Sequence, residues 1–395
     1  LLPAPAAASA DSAADVYFGE SEDSSQGGII MKNVRRFISA GMAVMMAFGL
    51  AACGSSTSTG AASADASASA AASASAGSAV STAATSAAAS ATSAASADAG
   101  DKKYTVGICQ LVQHVALDAA TQGFEDALKA EFGDNVTFDL QNAAGDSATC
   151  TTICNNFVSE GVDLILANAT PALQAAASAT NKIPILGTSI TDYGTALSID
   201  NFSGTVGGNI SGTSDLAPLD QQAAMVSELF PNAKKVGILY CSAEANSVYQ
   251  ANEVKKALEA GGLTVTVYTF ADSNDVASVT QTACSENEVL YIPTDNTAAS
   301  CTEAINNVAQ PAGIPIICGE EGICKGCGVA TLSISYYELG KTTGAMAAKI
   351  LKGEADVSTM PVEYYQNPVK EYNPTLAKAL GITIPDSYTA IDMSK

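Results

Sequence analysis

Tyr104-Thr-Val-Gly-Ile-Cys109 and Lys235-Val-Gly-Ile-Leu-Tyr240 decide the fold, because they are one buried strand written twice, with Val106 and Val236 130 positions apart. Two further pairs repeat in the same order. Asp163-Leu-Ile-Leu-Ala-Asn-Ala-Thr-Pro171 answers to Glu288-Val-Leu-Tyr-Ile-Pro-Thr-Asp-Asn296 at an offset of 125, and Ile183-Pro-Ile-Leu-Gly187 to Ile314-Pro-Ile-Ile-Cys-Gly319 at 131. Three anchors in one order and near one spacing mark an internal duplication. Between them lie helical patterns at 117–132 (Phe124, Ala127, Leu128 and Phe132 on one face), 216–229, 247–260 and 297–309. Apolar strands alternating with helices predict parallel sheets covered on both faces. The fold class is therefore α/β, with two doubly wound parallel-sheet lobes. Ligands bind beyond the carboxyl ends of such strands, so two facing lobes make a central cleft.

From Asp101 onward there are 295 residues, enough for two lobes with separate cores. They hold 15 Lys, no Arg and 33 acids, a formal charge of −18. Nucleic acid is not an expected partner, because that affinity rests on Lys and Arg neutralising phosphates. Without Arg, a ligand carboxylate must be held by hydroxyls, helix-start N–H groups or Lys.

Nine cysteines follow Cys53, an odd number that cannot all pair within one chain. Cys150 and Cys154 share a helical face with Ile153, Phe157 and Val158, so they replace small apolar residues in a core. Cys324-Lys-Gly-Cys327 has redox or zinc-ligand spacing, but with one His in the chain it reads as a turn with two thiols near the surface. No metal and no cofactor are expected. The catalytic set is empty too: no Ser or Cys signature accompanies the His, and no phosphate-binding Gly-x-x-x-x-Gly-Lys occurs.

Upstream, Met31, Lys32, Arg35 and Arg36 precede an apolar run from Phe37 to Leu50, which ends in Leu50-Ala-Ala-Cys53. A basic start, a short apolar core and small residues describe an export signal over 31–52, too short for a membrane span. The Cys53 context resembles a bacterial lipobox, which implies lipidation of Cys53 and an anchor on the extracellular face of the cytoplasmic membrane. Residues 53–103 form the lipidated Cys and an Ala/Ser-rich tether with too few large apolar groups to offset ordering entropy. Residues 1–30 read as an upstream or disordered segment.

Gly107-Ile-Cys-Gln-Leu-Val-Gln-His-Val-Ala-Leu-Asp-Ala-Ala120, Ala169-Thr-Pro-Ala-Leu-Gln174, Gly212-Thr-Ser-Asp-Leu216, Ser242-Ala-Glu-Ala-Asn-Ser247, Pro293-Thr-Asp-Asn296, Glu320-Glu-Gly322 and the Tyr336–Gly353 segment share one pattern. It resembles the substrate-binding lipoproteins of ABC transporters, in the tryptophan-binding-like subgroup. The resemblance runs from about Tyr104 to Ile391, and the cysteines, Cys318 included, depart from it. It implies a class I periplasmic-binding-protein fold with three hinge crossings, near Ser211 to Ser214, near Ser335 and after 352–354. The N-terminal lobe would be 104–213 plus 336–354, and the C-terminal lobe 214–335 plus 355–395. The implied function is an extracytoplasmic binder, expected monomeric, that captures a small solute and delivers it to an ABC permease and its ATPase subunit. An amino acid, aromatic or otherwise apolar, is the best guess. The alternatives are a ligand-sensing receptor module and a two-Cys racemase-like enzyme using Cys109 with Cys241 or Cys318.

Strand ends supply the candidate ligand contacts. Thr170-Pro171 ends a strand and opens a helix, so Thr170 either caps it or, with free N–H groups, holds a carboxylate. Asp295 holds the matching place in the second lobe, suited to a ligand ammonium or to capping, with Asn296 beside it. Glu320 and Glu321 follow the next strand, and one of them faces solvent. Glu244, Asn246 and Ser247 follow the 235–240 strand, with Ser247 an alternative cap. Gln110, His114 and Asp118 follow the first strand. Asp192 lies past Gly187-Thr-Ser189, and Ser214 and Asp215 lie at the first crossing. With no Trp in the chain, Tyr193, Phe202 and Tyr336 are the candidates for an aromatic lid.

Overall fold

Apolar runs with no polar alternation are buried on both faces, and in the computed structural model, which describes residues 102–394, they form two parallel-dominated sheets. The strands are β1 (Tyr104–Gln110), β2 (Val136–Asn142), β3 (Leu164–Asn168), β4 (Ile185–Ile190), β5 (Ile210–Ser214), β6 (Lys235–Cys241), β7 (Thr264–Phe270), β8 (Val289–Ile292), β9 (Ile316–Cys318), β10 (Ala330–Ser333), β11 (Glu363–Tyr364), β12 (Val369–Tyr372) and β13 (Thr389–Ala390). One sheet runs β2-β1-β3-β4-β5-β11 and the other β7-β6-β8-β9-β10-β12-β13. The first five strands of each follow the same doubly wound order, so the sequence duplication is a duplication of sheets. Only β12 is antiparallel, against β10.

The chain leaves the first sheet after β5 and returns after β10. Ser335 caps the returning Tyr336–Leu351 helix by accepting from Glu338 N at 3.3 Å. That helix lies against the Val115–Phe132 helix at backbone distance. A Cβ on Gly123 would stand 2.0 Å from Tyr337 O, and one on Gly340 2.0 Å from Ala120 O. Glycine at both positions is what permits the approach. The third crossing falls later than the sequence suggested. Residues 355–364 stay with the first lobe, where Val357 and Met360 join its apolar core, Ser211 Oγ donates to Met360 O at 3.0 Å and β11 pairs with β5. Burying those apolar side chains under the first sheet draws the segment there, and the chain crosses between Tyr364 and Val369.

Two other expectations are corrected. The 297–309 helix is two helices, Asn296–Ser300 and Thr302–Ala312, broken at Cys301. Cys324 and Cys327 lie on a helix, Glu321–Cys327, with both thiols buried rather than near the surface. The Ser147–Glu160 helix does bury Cys150 and Cys154 with Ile153 and Phe157, as their spacing foretold. The 31–52 signal, Cys53 and most of the tether lie outside the described residues. Among the described residues, no helix is long and apolar enough to cross a membrane, and no group of His, Cys, Asp and Glu could hold a metal ion.

Candidate functional site

Strand ends from both lobes meet across a cleft. On the first-lobe side, β3 runs into Ala169 at φ +93° and β4 contains Ser189 at φ +58°. Non-glycine residues are uncommon in that region and concentrate at binding sites. Ala169, not Thr170, holds the N-cap position of the Thr170–Ala179 helix, and no side chain caps it. Thr170 is thus the first helical residue, buried beside an uncapped set of N–H groups. Asp192 caps the Tyr193–Leu197 helix by accepting from Thr195 N at 2.7 Å. Ser214 Oγ donates to Thr191 O at 2.9 Å, which fixes the loop after β4.

The second-lobe wall is a carboxylate and amide network. Glu244 is the N-cap residue of the Ala245–Ala260 helix, yet its side chain serves the start of the Asn296–Ser300 helix. It accepts from Asn296 N, Asn296 Nδ2, Thr297 N and Thr297 Oγ1 at 2.6–3.1 Å. Asn246 Nδ2 donates to Glu244 Oε2, to Ser247 Oγ and to Thr294 O. Asp295 caps the Asn296–Ser300 helix through Ala298 N and accepts from Cys241 N, both at 2.7 Å, with Ser247 as a third partner. Ser247 therefore supports Asp295 and caps nothing. Glu320 caps the Glu321–Cys327 helix through Gly322 N and Ile323 N. It is buried, whereas Glu321 is only half-buried and is felt by Glu371 on β12.

Three contacts bridge the lobes or their crossings. His114 Nε2 meets Asn296 Oδ1 at 3.2 Å, and Gln250 Nε2 donates to Thr191 Oγ1 at 2.8 Å. Tyr336 Oη donates to Asp215 Oδ2 at 2.9 Å, while Thr191 Oγ1 donates to Asp215 Oδ1 at 3.2 Å. Because Asn296 Nδ2 is spent on Glu244, its Oδ1 is the acceptor, so His114 carries its proton on Nε2. Burial pulls the His114 ring below its ordinary value and keeps it neutral. Its Nδ1 is then a buried acceptor without a partner, as are Asn168 Oδ1 and Asn246 Oδ1, and the Ser189 hydroxyl is unpartnered too. A buried acceptor left unmade costs about 1–3 kcal/mol. Thr331 Oγ1 on β10 is likewise unpartnered, so such groups occur in both lobes.

Burial pushes the Asp215 carboxyl up to about 6, Glu320 to about 7 and Asp295 to about 8, the last also through its neighbour Glu244. The seven ion pairs found among the described residues all use surface Lys, and none involves these acids. Asp215 and Glu320 feel one another's charge, and Tyr336 feels both. A cavity of about 320 Å³ opens between the lobes, with Leu111, Val112 and Pro171 on one side and Cys241, Glu244 and Asn296 on the other.

The remaining candidates lie elsewhere. Gln110 donates to Asp118 Oδ1 at 2.7 Å and accepts from Thr121 Oγ1 at 2.7 Å. Both Gln110 and Asp118 line a separate groove of about 470 Å³ whose walls are all first-lobe residues. Tyr193 is fully buried, bonded to Gly187 O and Thr213 O, and stacks on Phe202, so neither ring is a lid. Of the thiols named for a two-Cys racemase, Cys109 and Cys318 sit in apolar cores, whereas Cys241 lines the interlobe cavity. Residue reading missed Ala169, Ser189, Thr191 and Gln250 as site residues. Their position at strand ends was available, but positive φ and cross-lobe bonding carry no local signature.

Residues 105–393 match the family model described as ABC transporter substrate binding protein. A tyrosine-binding protein from Clostridioides difficile is 36% identical over 297 residues, 74% of this chain and 82% of that protein. A Streptococcus pneumoniae ABC domain in complex with L-Trp superposes with a TM-score of 0.70 at 34% identity, over 73% of this chain and 100% of that one. A ligand-free, open substrate-binding protein with adhesive properties from Clostridium difficile gives 0.57 at 36% identity, over 74% and 100%. A Bacillus halodurans solute-binding protein, 16% identical with a TM-score of 0.52 over 71% of this chain and 99% of that one, shares the fold alone. With a family match across nearly all of the described residues and the fold of type I periplasmic binding proteins, this chain belongs to the ABC transporter substrate-binding protein family.

Proposed function

We propose that this protein is a lipid-anchored extracytoplasmic receptor that captures a free aromatic amino acid between its lobes and delivers it to an ABC permease. It acts as a monomer and without catalysis. The carrying observation is a pair of buried acids, Asp215 and Glu320, that meet no Lys among the described residues, with Asp215 bonded to Tyr336 at the second crossing. That set suits an ammonium. Asp215 is the first contact, because its two partners are hydroxyls that can turn their protons toward another acceptor. Glu320 adds charge nearby. Both Asp295 oxygens serve backbone N–H groups of its own lobe, which makes it a support for Asn296 rather than the ammonium's main partner. The ligand carboxylate meets Thr170, Ser189 and the uncapped N–H groups of the Thr170–Ala179 helix. The ring extends toward the 320 Å³ interlobe cavity, which Pro171, the neighbour of Thr170, lines, although Asp215 and Glu320 do not; its volume is within the usual range for small-molecule sites. The relatives named for tyrosine and tryptophan support an aromatic ligand, and Leu50 to Cys53 supports the anchor.

Calorimetry on protein stripped of ligand by unfolding and refolding tests the reading. Tyrosine, tryptophan or phenylalanine should bind at micromolar Kd or tighter, about −8 kcal/mol, and glutamate should not. Binding of none of the three, or preference for glutamate, overturns it.

A further inference from the structure

Six of the nine described cysteines fall into two groups of three, one per lobe. Cys109, near the carboxyl end of β1, is buried in the same apolar core as Cys150 and Cys154, which stand one turn apart on the Ser147–Glu160 helix. Cys318, the last residue of β9, stands in the same relation to Cys324 and Cys327 on the Glu321–Cys327 helix. The closeness there shows independently in Gly328, whose Cβ, were it present, would lie 2.1 Å from Cys318 Sγ and 2.9 Å from Cys324 Cα. All six thiols are buried, and all are unpaired. Each group thus joins a strand-end sulfur to two helix sulfurs in a dry core. Cys241, Cys284 and Cys301 belong to neither group, which accounts for the odd total.

We propose that each group is an oxidisable site that closes one disulfide, from Cys109 to Cys150 or Cys154 in the first lobe and from Cys318 to Cys324 or Cys327 in the second. The oxidant is a disulfide, either a low-molecular-weight one such as glutathione disulfide or that of an exported oxidoreductase. All three first-lobe thiols are buried once the lobe has folded, so the oxidant meets them during folding, and the step is taken with Cys150 reacting first. The Cys150 thiolate attacks one sulfur of R–S–S–R, forms a mixed disulfide and expels RS⁻, which takes up a proton. Cys109 then loses its proton and attacks the Cys150 sulfur, and the second RS⁻ leaves to become RSH. Two protein thiols give up two hydrogens, and the oxidant becomes two thiols. The third cysteine of each group remains a thiol. The proposal rests on sulfur positions alone and does not depend on the ligand.

The two bonds differ in what they do. The first closes a loop of roughly 40 residues, the second one of under about 10, so the first constrains the unfolded chain more. It should raise the thermal midpoint by roughly 5–10 °C, and the second by roughly two-thirds as much. The test refolds the full chain from denaturant in a glutathione/glutathione-disulfide pair, so that burial does not limit access, then alkylates free thiols and maps linked peptides by mass spectrometry. The expected result is one link within each group. Cys109→Ser should abolish the first link and the larger share of the rise in midpoint while keeping the second link, and Cys318→Ser should abolish the second link and the smaller share while keeping the first. Should either variant fold poorly, Cys150→Ala and Cys154→Ala each leave one partner for Cys109 and should each keep a first-lobe link. Alkylation of all six thiols after refolding, or links that join different groups or chains, overturns the proposal.

Discussion

Binding of an ammonium beside Asp215 and Glu320 should release protons, and the size of the effect follows from the empty site. Empty, Glu320 titrates at about 7 and Asp215 at about 6, because burial disfavours their charged forms. A cation favours the ionised forms, so binding lowers both values, and affinity must rise with pH until both are ionised. For Glu320 the ionised fraction grows about tenfold between pH 6 and 8, and for Asp215 about twofold, so affinity should rise roughly twentyfold, near 1.8 kcal/mol. The ligand's own ammonium titrates above this window. Calorimetry at pH 6, 7 and 8, in two buffers of different ionisation enthalpy, reads both the affinity and the proton count. About half a proton should leave at pH 7. Glu320→Gln should flatten the dependence to the twofold part left by Asp215, with its folding checked because Glu320 also caps a helix. An affinity unchanged within twofold across the range, or higher at pH 6, would refute a cation held by these acids.

The same acids make the empty protein's stability depend on pH. Their folded values lie above the unfolded ones, so their contribution is largest in acid and is lost as pH rises through about 6 to 8; the ligand-free thermal midpoint should climb from pH 8 to 5, and saturating ligand should reduce that slope. Asp295→Ala leaves the buried Cys241 and Ala298 N–H groups without their acceptor, so it should lower stability by about 2–4 kcal/mol in chemical denaturation, more than it weakens binding by the folded fraction. Gly340→Ala drives a methyl against Ala120 O and should cost about 1–3 kcal/mol by thermal unfolding, without changing which amino acid binds. Gln250→Leu removes a bond from the second lobe to Thr191, and small-angle scattering should show a larger ligand-free radius than wild type. Cys53→Ser should leave the precursor uncleaved or release the protein from membranes, seen by fractionation; normal cleavage with full retention would contradict lipidation.

The fold was legible because it was repeated. A single Val-Gly-Ile strand followed by a helical face fits many α/β proteins, whereas three paired anchors at one spacing leave only a duplicated sheet, and the strand order is indeed duplicated. What the repeat could not reach was unpaired by it. Residues 355–364 have no counterpart in the other half, so their placement rests on where Val357 and Met360 find a core, a tertiary matter that local pattern does not encode. The site divides along the same line. Chain position put forward Glu244, Asn296, Asp215 and Glu320 as candidates, since each follows a strand end, and the structure keeps each of them there. Position could not say what each carboxyl does, because Asp and Glu at a strand end serve equally as helix caps and as ligand partners. Asp295 and Glu320 both cap, and only Asp215 has hydroxyls alone as side-chain partners. That difference depends on Thr191 and Tyr336, which reach Asp215 from 24 and 121 residues away. Both come from chain next to the hinge, so the acid best placed for a ligand cation is also the one bonded to the crossings. On the proposed reading, a ligand that engages Asp215 should therefore change lobe closure as well as charge, because Tyr336 opens the helix that follows the second crossing.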